Sequence, residues 1–161
     1  MPMAPRSLVE TTPLARLEEG ELYSIVGYQI AQAAVSTVAS FVHAAGREFD
    51  LRPVEFTILV IVKNNPDVTP SRLAKAIAVK APNITTWINR LEKRGLVRRQ
   101  MGVTDKRNQH LRTTPAGNAI IKETVDRVRK GEREDWPDLS VGERGILVEL
   151  LHKIARKRRV I

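Results

Sequence analysis

Apolar residues recur at intervals of three and four along most of the chain. Leu22, Ile25, Val26, Ile30, Ala33, Ala34, Val38, Phe41, Val42 and Ala45 keep that spacing. It predicts one long amphipathic helix from about Glu19 to Arg47. Leu51-Arg52-Pro53 interrupts the pattern, and Pro53 suits the first position of a second helix running to about Asn64. Asn65-Pro66-Asp67 is a turn. Thr69-Pro70 opens a short third helix, Thr as N-cap and Pro at the first helical position, with Leu73, Ala74 and Ile77 inward. Pro82 starts a fourth helix that ends at Gly95, with Ile84, Trp87, Ile88 and Leu91 as its apolar stripe. Leu96 to Met101 and His110 to Thr113 read as two short strands around a charged turn, Gly102 to Asn108. Thr114-Pro115 repeats the cap-and-proline device and opens a helix to about Glu134. After a break at Trp136-Pro137-Asp138, Ser140 and Glu143 form a capping box. The last helix is expected to bury Ile146, Leu147, Leu150, Leu151 and Ile154. Residues 1–13, rich in Pro and Thr, show no periodicity and read as a loose arm.

Composition narrows the chemistry. At 42% hydrophobic and 4% aromatic residues, the core is expected to be aliphatic. The absence of cysteine excludes disulfides, Cys-ligated zinc, iron–sulfur clusters, thiol catalysis and thiol-based sensing. The longest apolar stretch, Phe56 to Val62, falls far short of the roughly 20 residues of a spanning helix. The first residues lack the apolar core of a signal peptide. These features lead us to expect a cytoplasmic protein with no membrane partner.

The net charge of +9 is unevenly placed. Residues 72–112 hold eleven of the 27 basic residues and only two of the 18 acidic ones, so the remainder of the chain is neutral. Solubility alone does not require such concentration, whereas a footprint on a phosphate backbone does.

A short helix, a tight connection, a second helix and a hairpin make a winged helix-turn-helix. The expected fold class is mainly α, with a β-hairpin wing. A major groove about 12 Å wide admits one α-helix, whose N-terminal residues reach base edges. The fourth helix offers Pro82, Asn83, Thr85 and Thr86 in its first turns, then Asn89 and Arg90. Asn pairs bidentately with adenine, Thr contacts thymine, and Arg90 would reach guanine or phosphate. Asn83 and Thr85 would equally serve a helix start. Arg98, Arg99, Lys106 and Arg107 form a cationic wing, its tip suited to a minor groove, with Asp105 orienting Arg107 or another local Arg. Arg72, Lys75 and Lys80 are candidate backbone contacts.

These residues also carry a family resemblance. Leu73-Ala74, Pro82-Asn83-Ile84-Thr85 and Arg90-Leu91-Glu92-Lys93-Arg94-Gly95-Leu96-Val97 resemble the helix-turn-helix of MarR-type transcriptional regulators. Asp105, Arg107, Leu111, Thr114 and Gly117 match that family's wing signature, with Thr113 where Leu is usual. The resemblance implies a homodimer whose first and last helices form a helical dimerisation region. It implies a repressor of a pseudo-palindromic operator in double-stranded DNA, with Arg107 in the minor groove. It also implies a small effector, often an aromatic or phenolic acid, that releases the DNA. The corresponding divisions are an arm at 1–18, a dimerisation region at 19–50 and 118–161, and a DNA-binding domain at 51–117.

Other features fit a dimer. The acidic Glu18, Glu19 and Glu21 of the first segment would attract the basic Arg156, Lys157, Arg158 and Arg159 of the last. His43 and Arg47, four apart on one helix, share a face and would receive an effector carboxylate, although both would equally face solvent. Tyr28, Phe41 and Arg16 are further effector candidates. The three histidines lie far apart in sequence, and no hydrolase, metalloprotease or nucleotide-binding motif occurs. No enzyme activity, metal or cofactor is therefore expected. Alternatives are a ligand-independent architectural DNA binder and an RNA-binding protein. The basic segment's single aromatic, Trp87, sits on the apolar stripe and offers no stacking platform.

Overall fold

The computed structural model describes residues 11–101 and 109–157. The chain divides between residues 39 and 40 into two compact units.

The first unit opens with a turn in which Leu17 N donates to Thr12 Oγ1 at 3.1 Å. A 3-10 turn, Gly20–Ser24, follows, and helix α1 then spans Val26–Phe41. The Tyr28 hydroxyl donates to Glu19 Oε1 at 3.0 Å, tying α1 to the segment before it. Ile25, Val26, Val35 and Val38 are exposed.

The sequence pattern predicted one helix to Arg47. Instead α1 gives way to a π-helical turn, Val42–Gly46. Gly46 explains the tight passage. A side chain there would stand 3.1 Å from Leu51 O and 3.3 Å from the Phe41 ring.

The rest of the second unit follows the local signals. Helix α2 spans Pro53–Asn64, with the Glu55 carboxylate accepting from Arg52 N at 2.9 Å. Helix α3 spans Pro70–Ile77, its N-cap Thr69 accepting from Arg72 N. Ala78 closes α3 in the left-handed region, φ 54°. Helix α4 spans Ala81–Lys93, and Gly95, at φ 68°, releases the chain into the hairpin. Strand β1, Val97–Met101, pairs antiparallel with β2, Gln109–Thr113, with Arg99 opposite Leu111. Val68 bridges the far side of Leu111, so the hairpin base is fixed to the α2–α3 turn. Helix α5 spans Pro115–Asp135 and α6 spans Val141–Ala155.

One aliphatic core serves this unit. Ile58, Leu59 and Val62 of α2, Leu73 of α3, Ile84, Ile88 and Leu91 of α4, Leu111 of β2 and Ile121 of α5 are buried together. Trp87 packs against them. The last helix departs from expectation: none of its residues is buried. Ile146, Leu147, Leu150, Leu151 and Ile154 are all exposed because no element of the described chain covers them.

Candidate nucleic-acid interface

Helix α4 owes its orientation to the stripe Ile84, Ile88 and Leu91, which is buried in the core. This turns Pro82, Asn83, Thr85, Thr86 and Asn89 to the surface, where all five are exposed. The Thr85 and Thr86 hydroxyls donate to the carbonyls of Ala81 and Pro82 at 3.1 Å each. Their oxygens remain acceptors facing outward. The Asn83 amide has no partner among the described residues and keeps its full donor and acceptor capacity. Arg72, Lys75, Lys80 and Arg98 are exposed as well.

Other candidates are engaged within the chain. Arg99 donates to Glu92 Oε2 at 2.6 Å and to Asn89 Oδ1, so β1 grips α4 and both side chains are partly occupied. Arg90 is the most heavily engaged. Its Nη1 donates to both Glu55 carboxylate oxygens at 2.7 and 2.9 Å, and its Nη2 to Asp50 Oδ1 at 2.8 Å and Asp50 O at 3.2 Å. Glu55 is 0% exposed. A fully buried carboxylate needs its cation, so Arg90 is tied to α2. The Arg90 hydrogen bond and charge in turn hold the Asp50 carboxyl below the ordinary carboxylate range.

The wing base is built by a second pair. Arg112 and Arg98 stand opposite each other on the two strands, a like-charge arrangement that costs stability. Asp67 offsets it, taking Arg112 Nε at 2.7 Å and Nη2 at 2.5 Å. The Asp67 carboxyl is held low, chiefly by that hydrogen bond. His110 Nδ1 lies 2.6 Å from Asp67 O. The tip residues Asp105, Lys106 and Arg107 lie outside the described residues.

The remainder of the wing signature has a physical account. Thr114 Oγ1 accepts from Gly117 N at 3.0 Å and donates to Gly95 O at 2.6 Å. At Gly117 a Cβ would stand 2.1 Å from Leu96 O, a distance no backbone tolerates. Thr113, in the place of the usual Leu, donates to Asn118 Oδ1 at 2.9 Å.

A family model described as MarR family matches residues 51–108, a stretch that includes α2 to β1. Over that stretch the chain is similar to the MarR family. The proteins it resembles are described as transcriptional regulators. It is 28% identical to a putative transcriptional regulatory protein for the hcr operon of Thauera aromatica, over 89% of this chain and 87% of that protein. It is similar to the transcriptional repressor CouR bound to a 23-mer DNA duplex. The TM-score there is 0.79 with 27% identity, over 86% of this chain and 98% of that one. BpsR of Bordetella bronchiseptica, whose DNA binding is regulated by 6-hydroxynicotinic acid, shares the fold with TM-score 0.73 and 24% identity, over 84% and 96% of the two chains.

Phe41 belongs to the core, its ring centroid 5.6 Å from that of Phe56. His43 and Arg47 are exposed, as is Arg16. Tyr28 is bound to Glu19. Phe41, His43 and Arg47 do not line the cavity of about 400 Å³ between α2 and α5, which is walled by Phe56, Thr57, Val60, Ile61, Val125 and Val128, with Arg129 and Glu132. Sequence reasoning passed over it because its walls are ordinary core-type positions on two distant helices. An arginine among those apolar positions was the available signal. The described residues include no helix long and apolar enough to cross a membrane.

Proposed function

We propose that this protein is a homodimeric repressor of the MarR family. It would bind a pseudo-palindromic operator through α4 and the wing, and a small aromatic or phenolic acid would release it. The exposed row Asn83, Thr85 and Thr86, on a helix of groove-fitting width within the one strongly basic segment, carries this reading. The apolar residues left uncovered on α6, and those exposed on α1, support a second copy as their cover. At its C-terminal end the chain is basic at Arg156 and Lys157, with Arg158 and Arg159 outside the described residues. Exposed charge pairs contribute at most about 1 kcal/mol each, so apolar burial is expected to dominate association.

For the effector, the α2–α5 cavity is a better receptacle than the surface around His43 and Arg47. Its volume lies within the range of small-molecule sites, its walls are mostly apolar, and Arg129 offers a forked cation for a carboxylate.

Selection on random duplexes should enrich an inverted repeat with half-sites about one helical turn apart. Asn83→Ala and Thr86→Ala should reduce discrimination between specific and random duplexes, by about 1–3 kcal/mol per lost bidentate contact. A panel of aromatic acids should include one that releases the enriched duplex, and Arg129→Ala should abolish that release while leaving DNA affinity intact. Failure to enrich any duplex would sink the regulator reading, and a flat response to the panel would favour constitutive binding.

A further inference from the structure

We propose that Glu48–Asp50 is a strap setting the presentation of α4. Arg90 and Arg94 are its positioning residues rather than DNA contacts, and Arg127 is its anchor on α5. The inference rests on the DNA-binding reading above and adds to it the device that orients the reading helix.

The strap is held from two sides. From α4, Arg90 takes the Asp50 carboxylate and carbonyl together with the buried Glu55. One turn later Arg94 donates to Asp50 O at 2.7 Å and Phe49 O at 2.6 Å. From α5, the Arg127 guanidinium lies 5.2 Å from the centre of the Phe49 ring. It also pairs bidentately with the Glu48 carboxylate and takes Glu123 at 2.8 Å. Three consecutive residues thus carry three arginines from two helices.

The segment itself has little slack. Asp50 sits at φ 47°, a left-handed conformation that a non-glycine residue keeps only when its surroundings hold it. Leu51 N donates to Gly46 O at 2.9 Å and the Leu51 side chain is buried. Both terminal nitrogens of Arg90 donate to strap or α2 oxygens, so turning this residue to a phosphate would strand a buried carboxylate. Guanidinium geometry is required, because a lysine ammonium cannot span Glu55 and Asp50 together.

The test is the duplex affinity of the full chain, measured against salt, on its best selected duplex. Asp50→Asn is decisive, because Asp50 is 76% exposed at its side chain and its removal leaves the core untouched. On charge alone, deleting an acid beside the interface tightens DNA binding. The strap predicts the opposite, a weakening of roughly tenfold, the order expected for losing a charge-assisted hydrogen bond. Arg90→Ala should weaken binding without changing the slope of log affinity against log salt, and Arg90→Lys should not restore it. A slope reduced by about 0.9 in Arg90→Ala, or rescue by lysine, would mark a phosphate contact and overturn the proposal. Unchanged or tighter binding by Asp50→Asn would overturn it too. If the unaltered chain selects no duplex, the DNA reading fails instead.

Discussion

Single residues in this protein do work that their types alone do not announce. Thr124 on α5 is fully buried, and its hydroxyl has no partner among the described residues. A buried donor left unmade costs about 1 kcal/mol or more. Thr124→Val, equal in shape, should therefore raise the melting temperature by about 2–4 °C, as read by calorimetry. A lower melting point would show that the hydroxyl has a role. Asp67 gives a prediction with a direction in pH. Its folded carboxyl titrates below the unfolded value because Arg112 hydrogen-bonds it and, more weakly, because of the Arg112 charge. The unfolded chain then holds the extra proton, so the stability Asp67 supplies is complete above about pH 4 and fades as pH falls through its folded value. Asp67→Asn should melt below the unaltered protein at neutral pH, with the gap closing in acid. A gap that persists at low pH would mean that Asp67 acts through something other than charge.

At the scale of elements, the joint between hairpin and α5 is the least forgiving place. Gly117→Ala would drive a methyl into Leu96 O, whose strand end also accepts from Thr114 N. Strain of this kind typically costs about 1–3 kcal/mol, and denaturant unfolding should show a loss at the upper end. A neutral outcome would mean the joint opens more easily than its geometry says. The joint was legible in sequence, because Thr114-Pro115 and Gly117 act within a few residues of one another. So were the starts of α2, α3 and α6, where prolines and caps speak locally. Two features were not. The break of α1 into a π-turn depends on Gly46 meeting the Leu51 carbonyl and the Phe41 ring, a packing fact without periodicity. The pairing of Arg90 with Glu55 and Asp50 spans 35 and 40 positions of the chain. From sequence, an arginine on the outward face of a reading helix looks like a reader. The hint was Glu55, an acid inside an apolar run, which had to find a cation somewhere.

At the scale of the whole molecule, apolar surface on α6 waits for a cover. Leu147→Glu should cost a lone chain little, since the residue is already partly exposed. In a dimer that buries it, the same change should yield monomers by light scattering and a loss of DNA affinity. Dilution of the unaltered protein should lower its melting temperature, as association coupled to folding requires. A concentration-independent melt, with Leu147→Glu still dimeric, would remove α6 from the interface. One further property follows from the two tryptophans. Trp87 rides on α4 against the core, and Trp136 ends α5. Trp136→Phe leaves a single indole, seated on the helix assigned to reading DNA. The protein thereby carries its own optical gauge: emission from Trp87 would follow movement of that helix on binding DNA or an acid, with no dye attached.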